Sequence, residues 1–136
     1  MFDVRRMNTQ TEEMKQLTKR FGLRVLELLN HFPNTIGGRV VANQIVKSAT
    51  SIGANYRATC RARSRAEFAS KIGIVAEEAD ESLYWLEIIA EGKIVPLEKV
   101  ASLLKEADEL TAIFTSARRS SSQPQSSKIR LQRSNS

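Results

Sequence analysis

Apolar residues recur every three or four positions over most of the chain, which is the spacing of one face of an α-helix. Four such segments follow one another, at residues 11–31, 39–61, 65–91 and 96–119. The β-branched residues of the second segment keep helical spacing, so they do not indicate a strand. The pattern therefore predicts an all-α fold.

Capping residues mark the ends of these helices. Thr11 is predicted to cap the first helix, and Pro33 to end it, because the residue before a proline disfavours helical geometry. Ser64 and Glu67 have the spacing of a capping box at the start of the third helix. Gly92 follows that helix at the position where a left-handed stop is common.

Short connections between amphipathic helices favour an antiparallel up-down-up-down four-helix bundle, here over residues 11–119. The length of 136 residues suits one domain. We expect residues 1–10 to be a flexible N-terminus. Residues 120–136 are serine-rich and basic with almost no apolar residues, so we expect a disordered C-terminal tail.

Charge is segregated along the chain, whose net charge is +6. Residues 28–66 contain six basic and no acidic residues, whereas residues 67–109 contain four basic and eleven acidic ones. Four of the cations lie within nine positions, at Arg57, Arg61, Arg63 and Arg65. Because they repel one another, they require a solvated helix end, internal ion pairs or an anionic partner.

Acidic residues cluster in the third helix at Glu77, Glu78, Asp80 and Glu81. A solvated helix face, or ion pairing with a neighbouring helix, accounts for them better than acid–base catalysis, which needs a pocket that shifts one pKa. In an antiparallel hairpin Lys47 lies level with Asp80, and we expect a contact there within one turn.

The residues that carry enzymatic chemistry are sparse. The single histidine, His31, cannot assemble a di-iron site even with Glu27 one turn away. We expect Cys60 to be a buried or half-exposed structural cysteine, and we expect no metal, no cofactor and no enzymatic activity. One cysteine and no run of about eighteen apolar residues predict a cytoplasmic protein without a membrane span.

Two further features suggest tight helix packing or self-association. Small residues fill the middle of the second helix, where a glycine costs about 1 kcal/mol against alanine, so another helix is expected to approach closely. The third helix has an apolar face wider than one seam requires, and such a surface commonly contacts another subunit. The candidate packing residues are Ser51, Gly53, Asn55, Tyr84 and Trp85.

The stretch SATSIGANYRATCRARSRAEFASKIGIVAEEADESLYWLEII resembles the 23S rRNA intervening-sequence protein family. The resemblance covers about residues 14–117. It implies a small cytoplasmic four-helix bundle that assembles as a homopentamer and has no enzymatic activity. A related branch, the accessory proteins of diversity-generating retroelements, is linked to nucleic-acid binding and to reverse transcriptase.

Two functions remain open at this point. The first is a non-enzymatic oligomeric bundle that binds the backbone of RNA or DNA. Its candidate contacts are Arg57, Arg61, Arg63, Arg65, Lys71, Arg118 and Arg119, with Lys128, Arg130 and Arg133 of the tail. Tyr56 is the one aromatic residue among the arginines, so base recognition is not suggested.

The alternative is a scaffold or accessory protein that binds a protein partner, with the arginines in ion pairs inside or between subunits. Carboxylates facing Arg57, Arg61 and Arg65 would favour this alternative.

Overall fold

The computed structural model describes residues 4–122, with side chains described from residue 9 onward. Within this part of the chain all regular structure is helical. It consists of α1 (Val4–Leu28), a 3₁₀ turn (Leu29–His31), α2 (Ile36–Thr59), α3 (Arg65–Glu91) and α4 (Leu97–Ser122). Each helix packs mainly on its neighbours in sequence, and α1 packs far less on α4 than on α2. The prediction of an all-α four-helix bundle is confirmed.

The core lies along the bundle axis and takes residues from all four helices. The largest side chains that are fully buried are Phe21, Val25, Ile45, Ile52, Ile72, Val75, Leu86, Ile89, Val100, Leu110 and Phe114. Phe68 and Leu97 have the helical spacing of inward-facing residues, but they are 38% and 62% exposed. Both lie in the first turn of a helix, at the ends of the bundle. Leu103 of α4 is buried.

Helix α1 begins earlier than predicted. Its first residue is Val4, so Thr11 lies inside the helix and does not cap it. Thr11 is instead half-buried within α1 and lies near the phenol of Tyr56 on α2. At the other end Pro33 acts as predicted, because Phe32 is extended with ψ of 142°.

Helix α2 begins at Ile36, three residues earlier than predicted, so Gly37 and Gly38 lie in its first turn and not before it. The cap is Thr35, whose hydroxyl accepts a hydrogen bond from the Gly38 amide at 3.0 Å. A Cβ atom on Gly38 would lie 2.7 Å from the carbonyl oxygen of Pro33. Gly38 therefore permits a close backbone approach at the entry to α2.

Helix α3 has the predicted bounds, and its ends differ from prediction in detail. Ser64 caps the helix, because its hydroxyl accepts a hydrogen bond from the Glu67 amide at 3.0 Å. The Glu67 carboxylate in turn accepts a hydrogen bond from the Arg63 amide at 3.3 Å. Gly92 is right-handed, so the prediction of a left-handed Gly92 is wrong. Lys93 takes that conformation with φ of 54°, and the Ile94 amide donates to the Ile89 carbonyl oxygen at 3.0 Å.

The predicted disordered tail begins inside α4, which continues to Ser122. The remainder of the tail, residues 123–136, lies outside the described residues, as do residues 1–3.

Candidate nucleic-acid interface

The α2–α3 turn, residues 60–64, connects the end of α2 to the cap of α3. Two amides of the turn donate hydrogen bonds to carbonyl oxygens in the last turn of α2. The Cys60 amide donates to Tyr56 at 3.0 Å, and the Arg61 amide donates to Ala58 at 3.1 Å. Ser64 anchors the other side as the cap of α3. These bonds fix the backbone of the turn without using an arginine side chain.

The arginine side chains at the turn are exposed to solvent. Arg57 lies in the last turn of α2, where a cation interacts favourably with the helix dipole. Arg61 and Arg63 lie on the turn, and Arg65 lies in the first turn of α3. Among the side chains of residues 9–122, no carboxylate is within the ion-pair distance of 4.0 Å from Arg57, Arg61 or Arg63.

Two other candidate cations have acidic neighbours. The ammonium group of Lys71 is 3.7 Å from a carboxylate oxygen of Glu67 on the same helix. Arg118 Nη1 on α4 is 3.9 Å from Glu77 Oε1 on α3. Exposed ion pairs of this kind contribute about 0–1 kcal/mol to folding stability, but they reduce the positive electrostatic field that a polyanion would meet.

The candidate cations do not form one compact patch. Arg118 packs beside Gly73, since a Cβ atom on Gly73 would lie 3.3 Å from the Arg118 Cδ atom. Gly73 is about 13 Å along the α3 axis from Ser64, at 1.5 Å per residue. Arg119 is exposed next to Arg118. The tertiary structure therefore separates Arg118 and Arg119 from the turn, although α4 continues toward it.

The ring of Tyr56 is used in packing. It lies 5.6 Å from the ring of Phe114, between centroids, at an interplanar angle of 51°. Burial raises the pKa of the Tyr56 phenol to about 12, and the neighbouring Cys60 adds to the rise. Tyr56 is thus a neutral, half-buried residue, and its ring is not a stacking platform for bases.

Cys60 is exposed, so the prediction of a buried or half-exposed cysteine is wrong. Cys60 is the C-cap of α2, at the start of the turn that leads to α3. His31 and Glu27 are both exposed, and the described residues contain no group of three or more potential metal ligands. None of the described helices is long and apolar enough to cross a membrane.

The acidic cluster of α3 has a basic residue of α2, Lys47, in its neighbourhood. Burial raises the pKa of the Glu78 carboxyl group, and the charge of Glu81 raises it further. Lys47 acts in the opposite direction. Lys47 therefore lies near Glu78, two residues from the expected Asp80, and among the described side chains no carboxylate is within 4.0 Å of its ammonium group, so the predicted contact is not formed.

The candidate packing residues have different environments. A Cβ atom on Gly53 would lie 3.3 Å from Thr18 Oγ1, so α1 approaches α2 closely there. Ser51 and Asn55 donate hydrogen bonds to carbonyl oxygens of their own helix, at 2.6 and 2.8 Å. Tyr84 is 53% exposed and packs edge-on against the half-buried Trp85, with 5.0 Å between ring centroids.

One polar contact between helices was not predicted. The Arg24 guanidinium on α1 forms an ion pair with Glu106 on α4 and donates to Ser102 Oγ at 2.7 Å. The Glu106 side chain is only 14% exposed, so this pair helps to hold α1 against α4. The partners are 78 and 82 positions apart in sequence, and local periodicity carries no signal for such a pairing.

Comparison with known proteins places this bundle in a family. A family model described as 23S rRNA-intervening sequence protein matches residues 10–116. The chain belongs to this family. It is also similar to a solved structure of a protein of unknown function from the S23 ribosomal protein family of Bacteroides thetaiotaomicron VPI-5482.

The two chains share 33% sequence identity over 76% of this chain and 96% of the other, with a TM-score of 0.69. No curated protein matches the sequence. Both similarities concern the four-helix region, and neither assigns an activity to the 23S rRNA-intervening sequence fold.

Proposed function

We propose that this protein is a non-enzymatic, self-associating four-helix bundle that binds the backbone of RNA or DNA through the α2–α3 turn. The observation that carries the proposal is the exposure of Arg61 and Arg63 with no carboxylate at ion-pair distance among the described side chains. Cations that the protein leaves unneutralised are free to replace counterions on phosphates. The family description, which refers to an intervening sequence of 23S rRNA, supports RNA as a partner.

The expected mode of binding is contact with phosphates and sugars. An arginine pair on a short turn supplies charge, whereas sequence recognition needs side chains that reach base edges. The aromatic residue interleaved with the arginines in sequence, Tyr56, packs its ring against Phe114. We therefore expect weak sequence preference, with Arg65, Lys71, Arg118 and Arg119 adding to the positive field around the turn.

Self-association would repeat the turn around an assembly and increase the avidity for a long polyanion. The resemblance of the sequence to its family implies five copies. We place the assembly in the cytoplasm, because the one cysteine, Cys60, has no partner within the chain for a disulfide.

Fluorescence anisotropy with a labelled RNA hairpin and a labelled DNA duplex tests the proposal. Titrations between about 50 and 200 mM salt should give log–log slopes of about −0.9 per phosphate neutralised on duplex DNA. Arg61→Gln combined with Arg63→Gln should weaken binding and reduce the magnitude of the slope by about 1.8 for each bound subunit.

The matched control is Lys93→Gln combined with Lys99→Gln, which removes the same charge beside the α3–α4 connection at the other end of α3. This variant should bind nearly as the wild type does. Equal losses in the two double variants would show that net charge alone matters and would contradict a site at the turn. An affinity that does not change with salt would contradict backbone binding altogether.

A second candidate function is a scaffold that binds a protein partner. The observation in its favour is that Lys71 and Arg118 already have the acidic neighbours Glu67 and Glu77. This function predicts no detectable affinity for either nucleic acid at 50 mM salt, so the same titration separates the two.

A further inference from the structure

A groove on the outer side of the α1–α2 hairpin is both apolar and basic. We call it the basic groove, lined by Thr18, Lys19, Gly22, Leu23, Leu26, Thr50, Gly53, Ala54 and Arg57, with a volume of about 250 Å³. Leu23 is 57% exposed and Leu26 is 44% exposed. Lys19 and Arg57 supply its charge, and no acidic residue lines it.

Two glycines create the floor of the basic groove. A Cβ atom on Gly22 would lie 3.6 Å from the Ala49 carbonyl oxygen, and one on Gly53 would lie 3.5 Å from the Lys19 amide nitrogen. The backbones of α1 and α2 are therefore close, and the floor has no side chain where the glycines lie. Exposed leucines beside such a floor offer a surface that a helix with apolar and acidic residues would cover.

The chain itself carries such a helix face. The acidic stripe of α3 consists of Ile74, Glu77, Glu81, Tyr84 and Ile88, which follow one another at alternating steps of three and four residues. Ile74 is 42% exposed and Tyr84 is 53% exposed. The stretch from Glu77 to Tyr84 and the stretch from Lys19 to Leu26 each cover eight residues, so their ends are seven steps or about 10 Å of helix apart.

The solvent side of α3 and the α1–α2 groove are different surfaces of one molecule, because no residue of α3 lines the groove. One copy can therefore use both at the same time. A contact between unlike faces is heterologous, and repeating it closes a ring or extends a filament. The tail of the chain is a poor occupant, because its residues 123–136 contain three basic and no acidic residues.

We propose that the basic groove of one subunit binds the acidic stripe of a second copy of this chain, with Arg57 facing Glu81 and Leu23 and Leu26 facing Tyr84. This rests on the self-association in the proposed function and names the surfaces that make it. It also gives Arg57 a role apart from Arg61 and Arg63. Arg57 belongs to the subunit contact, and the turn is left to the nucleic acid.

Sedimentation velocity of the full chain, over a range of concentrations and without nucleic acid, tests the proposal by charge exchange. Arg57→Glu and Glu81→Arg should each raise the dissociation constant of the assembly by about tenfold or more, since each places like charges opposite one another. The double variant Arg57→Glu/Glu81→Arg should recover most of the loss, because the pair is restored with its signs exchanged.

Arg39→Glu and Asp108→Arg are the matched controls, as exposed charges of α2 and α4 outside both surfaces. They should leave the assembly unchanged, and circular dichroism should show every variant folded. Single variants that assemble as the wild type does, or a double variant as weak as the single ones, would overturn the proposal.

A wild-type chain that stays monomeric would also overturn it and would leave the groove to an acidic helix of another protein. That result would not touch the salt-dependent binding at Arg61 and Arg63, which the anisotropy titration measures independently.

Discussion

Two connections of similar length flank α3, and they are built differently. The α3–α4 connection, residues 92–96, uses its own side chains and backbone to fold. Val95 is 2% exposed, and Lys93 adopts the left-handed conformation that lets the Ile94 amide reach Ile89. The α2–α3 turn is held by backbone bonds and by the Ser64 cap, while Arg61 and Arg63 remain exposed.

The difference shows where to look for function in a small helical bundle. The presence of a side chain that packs in the core, such as Val95, is explained by its contribution to stability. Side chains that a well-anchored turn presents without using them are available for a partner, and binding residues commonly lie on loops that a rigid scaffold positions. Five measurements test this distinction, and they are given in order of expected effect.

Val95→Ala should lower the free energy of unfolding by about 2 kcal/mol, because it removes buried methyl groups and leaves a cavity. Val40→Ala changes a residue that is 53% exposed and should cost less than about 0.5 kcal/mol. Urea denaturation followed by circular dichroism measures both. Equal effects would mean that the α3–α4 connection is not anchored by Val95.

Ser64→Ala should cost about 1 kcal/mol, because the Glu67 amide loses its hydrogen bond partner at the start of α3. Ser70→Ala, at an exposed position inside the same helix, should cost nothing. If the two variants have the same denaturation midpoint, the cap does not hold the turn.

Lys93→Gly should raise the free energy of unfolding by about 0.5–1 kcal/mol, since glycine adopts a φ of 54° without strain from a side chain. Lys99→Gly, in the first turn of α4, should lower it instead. Thermal melts of the two variants in parallel check the opposite signs.

The loss of folding stability at alkaline pH should depend on Tyr56. Its pKa in the folded chain is about 12 against an ordinary 10.0, so the folded state favours the neutral phenol. The stabilisation is complete below pH 10 and is lost as the pH rises toward 12, because only the unfolded chain ionises readily in that interval. Tyr56→Phe should flatten this loss in urea midpoints measured across that range, and an unchanged pH profile would contradict the assignment.

Arg61→Gln combined with Arg63→Gln should have the smallest effect on folding, below about 0.5 kcal/mol. This is the same variant that should weaken nucleic-acid binding most. A loss of stability comparable to that of Ser64→Ala would show that the fold uses these arginines and would remove the contrast between the two connections.

Much of the fold was predictable because helical burial repeats locally. The stripe of Ile45, Ser48 and Ile52 and the bounds of α3 follow from the sequence, and the structure agrees with them. Helix starts were less predictable. Thr11 and Glu12 have the composition of a cap, but Thr11 lies inside α1 and near Tyr56 of α2, a proximity that its neighbours in sequence cannot indicate.

The candidate site was predictable only in part. The density of arginines marked the α2–α3 turn, and the Ser64–Glu67 spacing located its cap. The spacing of Glu67 and Lys71 on one helix indicated their pairing, but nothing in the sequence showed that Arg118 has an acidic neighbour on α3. Nor did it show that the Arg61 and Arg63 side chains have no carboxylate at ion-pair distance among the described side chains. The basic groove was also missed, although Gly22 in the middle of α1 was a signal for a close partner helix.

The sequence by itself determined four helices, their inward faces and a concentration of positive charge at one turn, because each of these depends on residues within a few turns of one another. Only the tertiary structure decided which charges are neutralised and which surfaces stay open. Arg24 forms an ion pair with Glu106, 82 positions away in sequence, and Arg57 of α2 lines the same groove as Leu23 of α1. Both outcomes depend on how the helices pair and rotate against one another, and that choice is made by packing over the whole bundle.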